Sequence, residues 1–316
     1  MTSMVRLLFR RAVAALVLMI AVAVAGFVIT GLGNSDPGRS ILGPQATAAQ
    51  VEAENHRLGL DRSQVEQFTD WAGGVVRGDL GRSYLGDRPV TEKITNYLPV
   101  TMSLVALSMV VIAVLSLVLA VASVSGRAWV DRCVQLLAVI GHVLPGYLLA
   151  LLLLLLFAVQ FQLFPVFGYT PIGESPAQWL RGLALPVIAL ALGSVAGAAL
   201  QARGALMDVL EADYVRTLRS RGIGGRSVLF RHALRNASPA WLTSLSLGFV
   251  ALLAGAFMVE KVFALPGLGT LSVEATSSGD RPVLMGVVVL TGGLVVVVNL
   301  LVDLLQMWLI PKARTA

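Results

Sequence analysis

Charge is scarce in this 316-residue chain, where Asp, Glu, Lys and Arg together make up 13% of the residues, about half of the roughly 25% usual in soluble domains. With 56% hydrophobic residues and a mean hydropathy of +0.80, that scarcity excludes an ordinary water-soluble fold and indicates a membrane protein. Cysteine is nearly absent: Cys133 stands alone, cannot close an intrachain disulfide and reads as a small apolar residue at the entrance of a span. Also missing are a phosphate-cradling Gly-x4-Gly-Lys-Ser/Thr loop, Gly-x-Ser-x-Gly, His-Glu-x-x-His and any His/Cys/Glu set at metal-ligand spacing. An enzyme is therefore disfavoured, and no metal or cofactor is expected on this chain. The net charge of +6 is what basic loops beside apolar spans require, so nucleic acid is not an expected partner.

What is present is a series of uncharged runs. Arg6, Arg10 and Arg11 precede a run from Ala12 to Ser35, longer than the 7 to 15 residues or so of a signal-peptide core. The small residues Ala23-Val-Ala25 resemble a cleavage site, but the length favours a retained signal anchor. Further runs cover 94–126, 133–173, 182–202, 236–259 and 282–302. Each is a natural span, since one Lys, Arg or Asp at a span centre costs at least about 2.5 kcal/mol. The run from Cys133 turns polar and turn-rich after Phe157, with Gln160, Gln162, Pro165, Gly168 and Tyr169, so it is counted as one span followed by an apolar loop. The expected fold is an all-α membrane protein with six transmembrane helices. Placing the N-terminus inside puts 14 of the 24 lysines and arginines on the inner side, whereas the outer segments hold the other ten and more acids. Both termini are therefore expected in the cytoplasm, in a multi-pass membrane protein.

The domain organisation follows: 1–33 forms the cytoplasmic N-terminus and first span, 34–98 an external segment, 99–310 a five-span core with an inner charged segment at 207–237, and 311–316 a tail. Within the external segment, Thr47 to Leu58 reads as a helix ending at Gly59, and Val65, Phe68, Ala72 and Val75 give a second apolar stripe. Residues 78–86 are turn-rich. Pro89 to Leu98 reads as a short interfacial amphipathic helix before Pro99 opens the second span.

Ionisable groups inside the spans are few. His142, before Pro145, is open to two readings, a packed histidine at a proline kink or a proton relay. Asn299 and Asp303 share a helix face and read as an inter-helix polar contact. Gly193, Gly197, Ala198 and Ala199 permit close helix approach, while Pro186 is placed in the first turn of the fourth span.

The most distinctive stretch is the inner segment. From Leu210, Tyr214, Val215 and Leu218 form an apolar stripe at helical spacing, with Arg216, Arg219 and Arg221 elsewhere. The helix should stop at Gly222, and Gly224-Gly225 make a turn carrying Arg226. Ser227 then caps a second helix in which Phe230 pairs with Leu234 and Arg231 with Arg235, next to His232, before Asn236 and Pro239 close it. A solvated loop in contact with membrane lipid is one reading. The ordered turn and apolar stripe favour a second, in which the segment meets a partner.

Here the chain resembles a known family. Asp213-Tyr-Val-Arg-Thr-Leu-Arg-Ser-Arg-Gly222, followed by Arg231-His-Ala-Leu-Arg-Asn236, is similar to the coupling region of permease subunits of bacterial ABC importers in the dipeptide, oligopeptide and nickel branch. Leu58-Gly-Leu-Asp61, Arg77-Gly-Asp-Leu-Gly-Arg-Ser83, Glu260-Lys-Val-Phe-Ala-Leu-Pro-Gly-Leu-Gly269, Asp280-Arg-Pro282 and Val298-Asn-Leu-Leu-Val-Asp303 extend the resemblance over nearly the whole chain, to the first of the two permeases in such systems. The broad family has Glu-Ala-Ala with a glycine six residues after the Glu. Here that position is Arg216, so Glu211 is not the equivalent acid, whereas Gly222 matches.

The resemblance implies that Asp213, Tyr214, Arg216, Arg219, Arg221, Gly222, Arg226, Arg231, His232, Arg235 and Asn236 couple the chain to cytoplasmic ATPases. It also implies that Pro266, Gly267, Gly269, Asp280, Arg281 and Pro282 meet an external partner or guard a gate, although a plain surface loop explains the Pro-Gly-Leu-Gly turn equally well. Glu260 and Lys261 are placed at the membrane boundary. The implied partners are a homologous second permease, two ATPase subunits that bind ATP and Mg, and an external solute-binding protein. Peptides are the implied cargo, with nickel, glutathione or another small solute as the alternative and a lone ion-coupled carrier as the reading from a different class. No residue forms an obvious carboxylate or amine clamp.

Overall fold

A computed structural model describes residues 2–32, 36–124, 129, 131–136 and 145–309. The described residues are almost entirely helical, with no strand beyond a single antiparallel bridge between Arg82 and Pro89. Five of their helices are long and apolar enough to cross a membrane. Phe9, Leu16, Val17 and Ile29 on the first helix, and Leu247, Val250 and Met258 on another, leave large apolar side chains exposed, as a lipid or protein environment in place of water requires. The chain divides into two compact units.

One unit comprises residues 5–101 and 266–296. Helix α1 (Thr2–Leu32) contributes all but its first residues, and three short helices follow: α2 (Pro37–Leu42), α3 (Ala48–Arg57) and α4 (Gln64–Val76). Thr47 with Gln50 and Ser63 with Glu66 each form a reciprocal capping box, so the amino ends of α3 and α4 are set locally. Gly59, predicted to stop α3, has φ +70°. Phe68 and Trp71 of α4 pack on Phe27 of α1, with ring centroids 5.2 and 6.5 Å away. Gly78, Gly81 and Gly86 all take positive φ in the expected turn-rich stretch.

Helix α5 (Val90–Ser123) runs straight through Pro99, which corrects the expected break there and places the 98/99 domain boundary inside a helix. The cause is packing: Val90 and Ile94 are buried against Gly286, where an added Cβ would lie 2.6 Å from Val90 Cγ1 and 3.0 Å from Ile94 Cδ1. The stretch from Pro89 is thus anchored by protein contacts at Val90 and Ile94.

The other unit comprises residues 1–4, 102–265 and 297–316. Its expected third span falls partly on residues outside the described ones, as do His142, Lys312 and Arg314. The described remainder is α6 (Gly146–Leu153), which continues as a π-helical stretch to Gln160. Helix α7 (Pro176–Glu211) has many buried residues, Ala198 and Ala199 among them, and packs on α6 and α9. It begins earlier than the uncharged run implied. Ser175 Oγ accepts the Gln178 N–H at 3.4 Å and Pro176 takes the first turn, so Pro186 is inside the helix. After α8 (Asp213–Ser220) comes α9 (Gly225–Val262), π-wound at Val228–Ala233 and continuous through Asn236 and Pro239. Helices α10 (Leu268–Ser278) and α11 (Arg281–Leu309) complete the fold. The expected polar contact on α11 is present, with Ser246 Oγ of α9 donating to Asn299 Oδ1.

Candidate functional site

The segment 207–237 is built around a left-handed glycine. Gly222 has φ +78°, its N–H reaches Arg219 O at 3.0 Å and the Ile223 N–H reaches Leu218 O at 3.2 Å. These two bonds are a Schellman cap, which satisfies the last carbonyls of α8 and reverses the chain there. No heavy atom lies within 4 Å of a Cβ built on Gly222, so glycine is required by backbone conformation alone. The expected stop at Gly222 therefore stands.

The next helix starts differently from the expectation. Gly224, in extended conformation, is its N-cap, and Ser227 already lies within the helix. Asn236 and Pro239 do not close it, because Val228, Ala233 and Ala237 on its inner side are fully or nearly fully buried and the buried face continues into α9. π-Winding of this kind concentrates at functional sites.

Beneath the segment lies a cluster of small buried residues, Ala120 of α5, Ala202 and Leu206 of α7, and Ala233 and Ala237 of α9, with Leu229, Leu234 and Trp241 packed around it. Three helices thus converge on one point. Trp241 Nε1 donates to Ser116 Oγ at 3.1 Å across that junction. Asp131 braces it further, accepting Ser123 Oγ at 2.7 Å, Arg203 Nη2 at 2.8 Å and Gln135 Nε2 at 3.1 Å. The Ser123 and Arg203 hydrogen bonds hold the Asp131 carboxyl below the usual carboxylate range. The sequence reading missed this brace, since Asp131 and Arg203 entered it only as loop charges.

The predicted coupling residues fall into two groups. Asn236 Nδ2 donates to Tyr214 Oη at 2.8 Å, tying α8 to α9, and Arg235 Nε donates to Leu309 O at 2.9 Å at the carboxyl end of α11. Val215 is fully buried and anchors α8. By contrast, Arg216, Arg219, Arg221, Arg226 and Arg231 are exposed, as are Phe230 and Asp213, Asp213 lying 3.6 Å from Arg216; His232 is half-buried. The result is a rigid, basic knob with an aromatic beside it, standing on a three-helix junction.

The second predicted set turns inward within its own unit. Gly267 caps α10, whose first residue donates its N–H to Thr101 Oγ1 at 2.8 Å; Pro266 precedes this cap and Gly269 is buried in its first turn. Asp280 is almost completely buried. Its carboxylate accepts Ser83 Oγ and, at 3.2 Å, the Tyr84 N–H, with Lys93 Nζ 3.6 Å away. Arg281 Nη1 donates to Gln67 Oε1 at 2.9 Å and its guanidinium lies 4.9 Å from the Phe27 ring centre, while Pro282 opens α11. Asp280 and Arg281 thus clamp the 83–85 turn and α4. Glu260, expected at an interface, is fully buried, a placement that hydropathy cannot foresee for a carboxylate.

The comparisons with known proteins agree with this architecture. Residues 112–315 match the family described as binding-protein-dependent transport system inner membrane component, and residues 4–105 match its N-terminal companion. A Brucella abortus protein named as a peptide transport system permease is 38% identical over 98% of this chain and 99% of its own length. One from Sinorhizobium fredii, named as a peptide ABC transporter permease, is 34% identical over 97% of this chain and 98% of its own length. The glutathione transport system permease GsiC of Pectobacterium atrosepticum is 34% identical over 94% of each chain. The chain belongs to the family of inner membrane components of binding-protein-dependent transport systems. It is a multi-pass inner membrane permease, and its family is one of transport proteins, not enzymes.

Proposed function

We propose that this chain is one of two permease subunits of an ATP-driven importer for di- or oligopeptides, forming half of the pathway. Its partners would be a homologous second permease, two cytoplasmic ATPases carrying ATP and Mg, and an external solute-binding protein, all within membrane lipid. Six spans with cytoplasmic termini, an external segment at 34–98 and a five-span core follow from the charge distribution. The single observation that carries the coupling role is the exposed arginine-rich knob capped at Gly222 and seated on the buried Ala120–Ala202–Ala233 junction. A push on such a knob moves three helices together, because close-packed helices do not deform independently. Peptide cargo is supported by the names of the Brucella and Sinorhizobium relatives.

The test is uptake and ATP hydrolysis by the purified complex with its binding protein. Peptides should stimulate hydrolysis, and vanadate should abolish uptake. Stimulation by glutathione or nickel alone would keep the architecture and replace the cargo. Uptake that ignores vanadate and follows an ion gradient would overturn the reading in favour of a carrier.

A further inference from the structure

A seam of polar contacts joins α9 to the carboxyl half of α11, which lies in the same unit. Ser246 Oγ donates to Asn299 Oδ1, Gln306 Nε2 donates to Thr243 Oγ1 at 2.9 Å and to Pro239 O at 3.3 Å, and Arg235 Nε donates to Leu309 O at 2.9 Å. The order along α9 is the reverse of the order along α11, as one antiparallel register requires. At 1.5 Å of rise per residue the seam runs along about 15 Å of each helix. Asn299, Gln306 and Leu309 share one side of α11 by their spacing, and Val302 beside them is buried, whereas Leu301, Leu305 and Trp308 on the other side are exposed.

The centre of the seam is the weakest turn of α9. Pro239 has no N–H, so the Arg235 carbonyl loses its helical partner there and accepts Ser238 Oγ at 2.9 Å instead. A proline inside a helix is also where helices bend. The Pro239 carbonyl accepts Thr243 Oγ1 at 2.9 Å as well as Gln306 Nε2, so this turn is held from the side by the neighbouring helix. In a membrane no water replaces such partners when helices part, and neighbouring helices and hydroxyl side chains are what re-satisfy the groups a proline frees. α9 begins at Gly225 and itself carries Arg226 and Arg231 of the knob. A push on the knob therefore reaches Pro239 through one continuous helix, and the seam passes it on to α11 instead of letting α9 bend.

We infer that Gln306, Asn299 and Arg235 are positioning residues that fasten α11 to α9, so that the carboxyl half of α11 moves as one piece with the knob. The role in transport rests on the proposed import reading and deepens it, adding α11 to the helices that the knob drives. Arg235 then acts by holding α11, and the exposed arginines are left to meet the partner.

The test uses the complex in lipid nanodiscs, with Cys133→Ser and spin labels on Leu247→Cys of α9 and Trp308→Cys of α11, both exposed positions. One narrow label separation, the same without nucleotide and after trapping with ATP and vanadate, is expected. Gln306→Met keeps the length of the side chain and removes both donors, so it should broaden that distribution about twofold. Uptake per ATP hydrolysed should fall about threefold in Thr243→Val and about tenfold in Gln306→Met, since one interhelical hydrogen bond in a membrane protein corresponds to about a threefold shift. Thr243→Ser, which keeps the hydroxyl, should retain the native ratio. A separation that changes between the two states of the native complex, or a Gln306→Met complex with the native distribution, would overturn the inference. So would losses of uptake and hydrolysis in equal proportion, because a seam that is merely structural lowers the amount of working complex and leaves the ratio unchanged. Native uptake that ignores vanadate fails the import reading alone, and the label distributions without nucleotide still decide the seam.

Discussion

Replacing Gly222 tests the coupling reading with a graded perturbation. Its φ of +78° is a conformation that costs an L-residue roughly 1 to 2 kcal/mol, with a β-branched side chain at the upper end and Asn penalised least. Because nothing lies within 4 Å of the added Cβ, packing contributes nothing, and the whole effect falls on the population of the capped turn. A loss of 1 to 2 kcal/mol lowers that population by a factor of about 5 to 30. The penalty is local to an exposed segment, so Gly222→Val should insert and melt like the native protein. Binding-protein-stimulated ATP hydrolysis and uptake, measured in the reconstituted complex, should decline from glycine through Asn and Ala to Val. Native coupling in Gly222→Val would refute the argument. A Gly222→Asn variant as defective as Gly222→Val would show that the partner reads the side-chain surface there, not the turn.

Asp280→Ala should lower thermal stability by about 3 kcal/mol, the low end for breaking a buried pair because Lys93 is one quarter exposed. The Lys93 ammonium, the Ser83 hydroxyl and the Tyr84 N–H would lose their shared acceptor; an unchanged melting temperature in detergent would disprove the clamp. For Asp131 the folded carboxyl titrates below its unfolded value, so its contribution is fully present above the ordinary carboxylate pKa and is lost as pH falls through the folded one. Melting temperature should therefore fall more steeply on acidification in the native protein than in Asp131→Asn, and parallel pH profiles would exclude the brace.

Much of the local structure is written in short-range chemistry. Thr47 with Gln50 and Ser63 with Glu66 satisfy amino-terminal N–H groups within four residues, and Gly59 and Gly222 sit where the backbone must turn left-handed. The exposed arginines of the knob and the family resemblance were equally legible. Helix ends in the membrane were not, because an uncharged run measures the stretch that tolerates lipid and says nothing of the turns beyond it. α5 passes Pro99 and α7 begins at Pro176 for reasons that lie in packing against Gly286 and in the Ser175 cap.

By itself, then, the sequence determined that this is a helical membrane chain, where its turns fall and which segment is basic and ordered, since composition, capping and glycine conformation act over a few residues. Only the tertiary structure decided which charges are spent internally: Asp131 on Ser123 and Arg203, Asp280 on Ser83, Tyr84 and Lys93, and Arg235 on the end of α11. Whether a charge faces a partner or a neighbouring helix depends on which distant residues the fold brings within hydrogen-bond or ion-pair reach of it. That selection left Arg216, Arg219, Arg221, Arg226 and Arg231 facing outward.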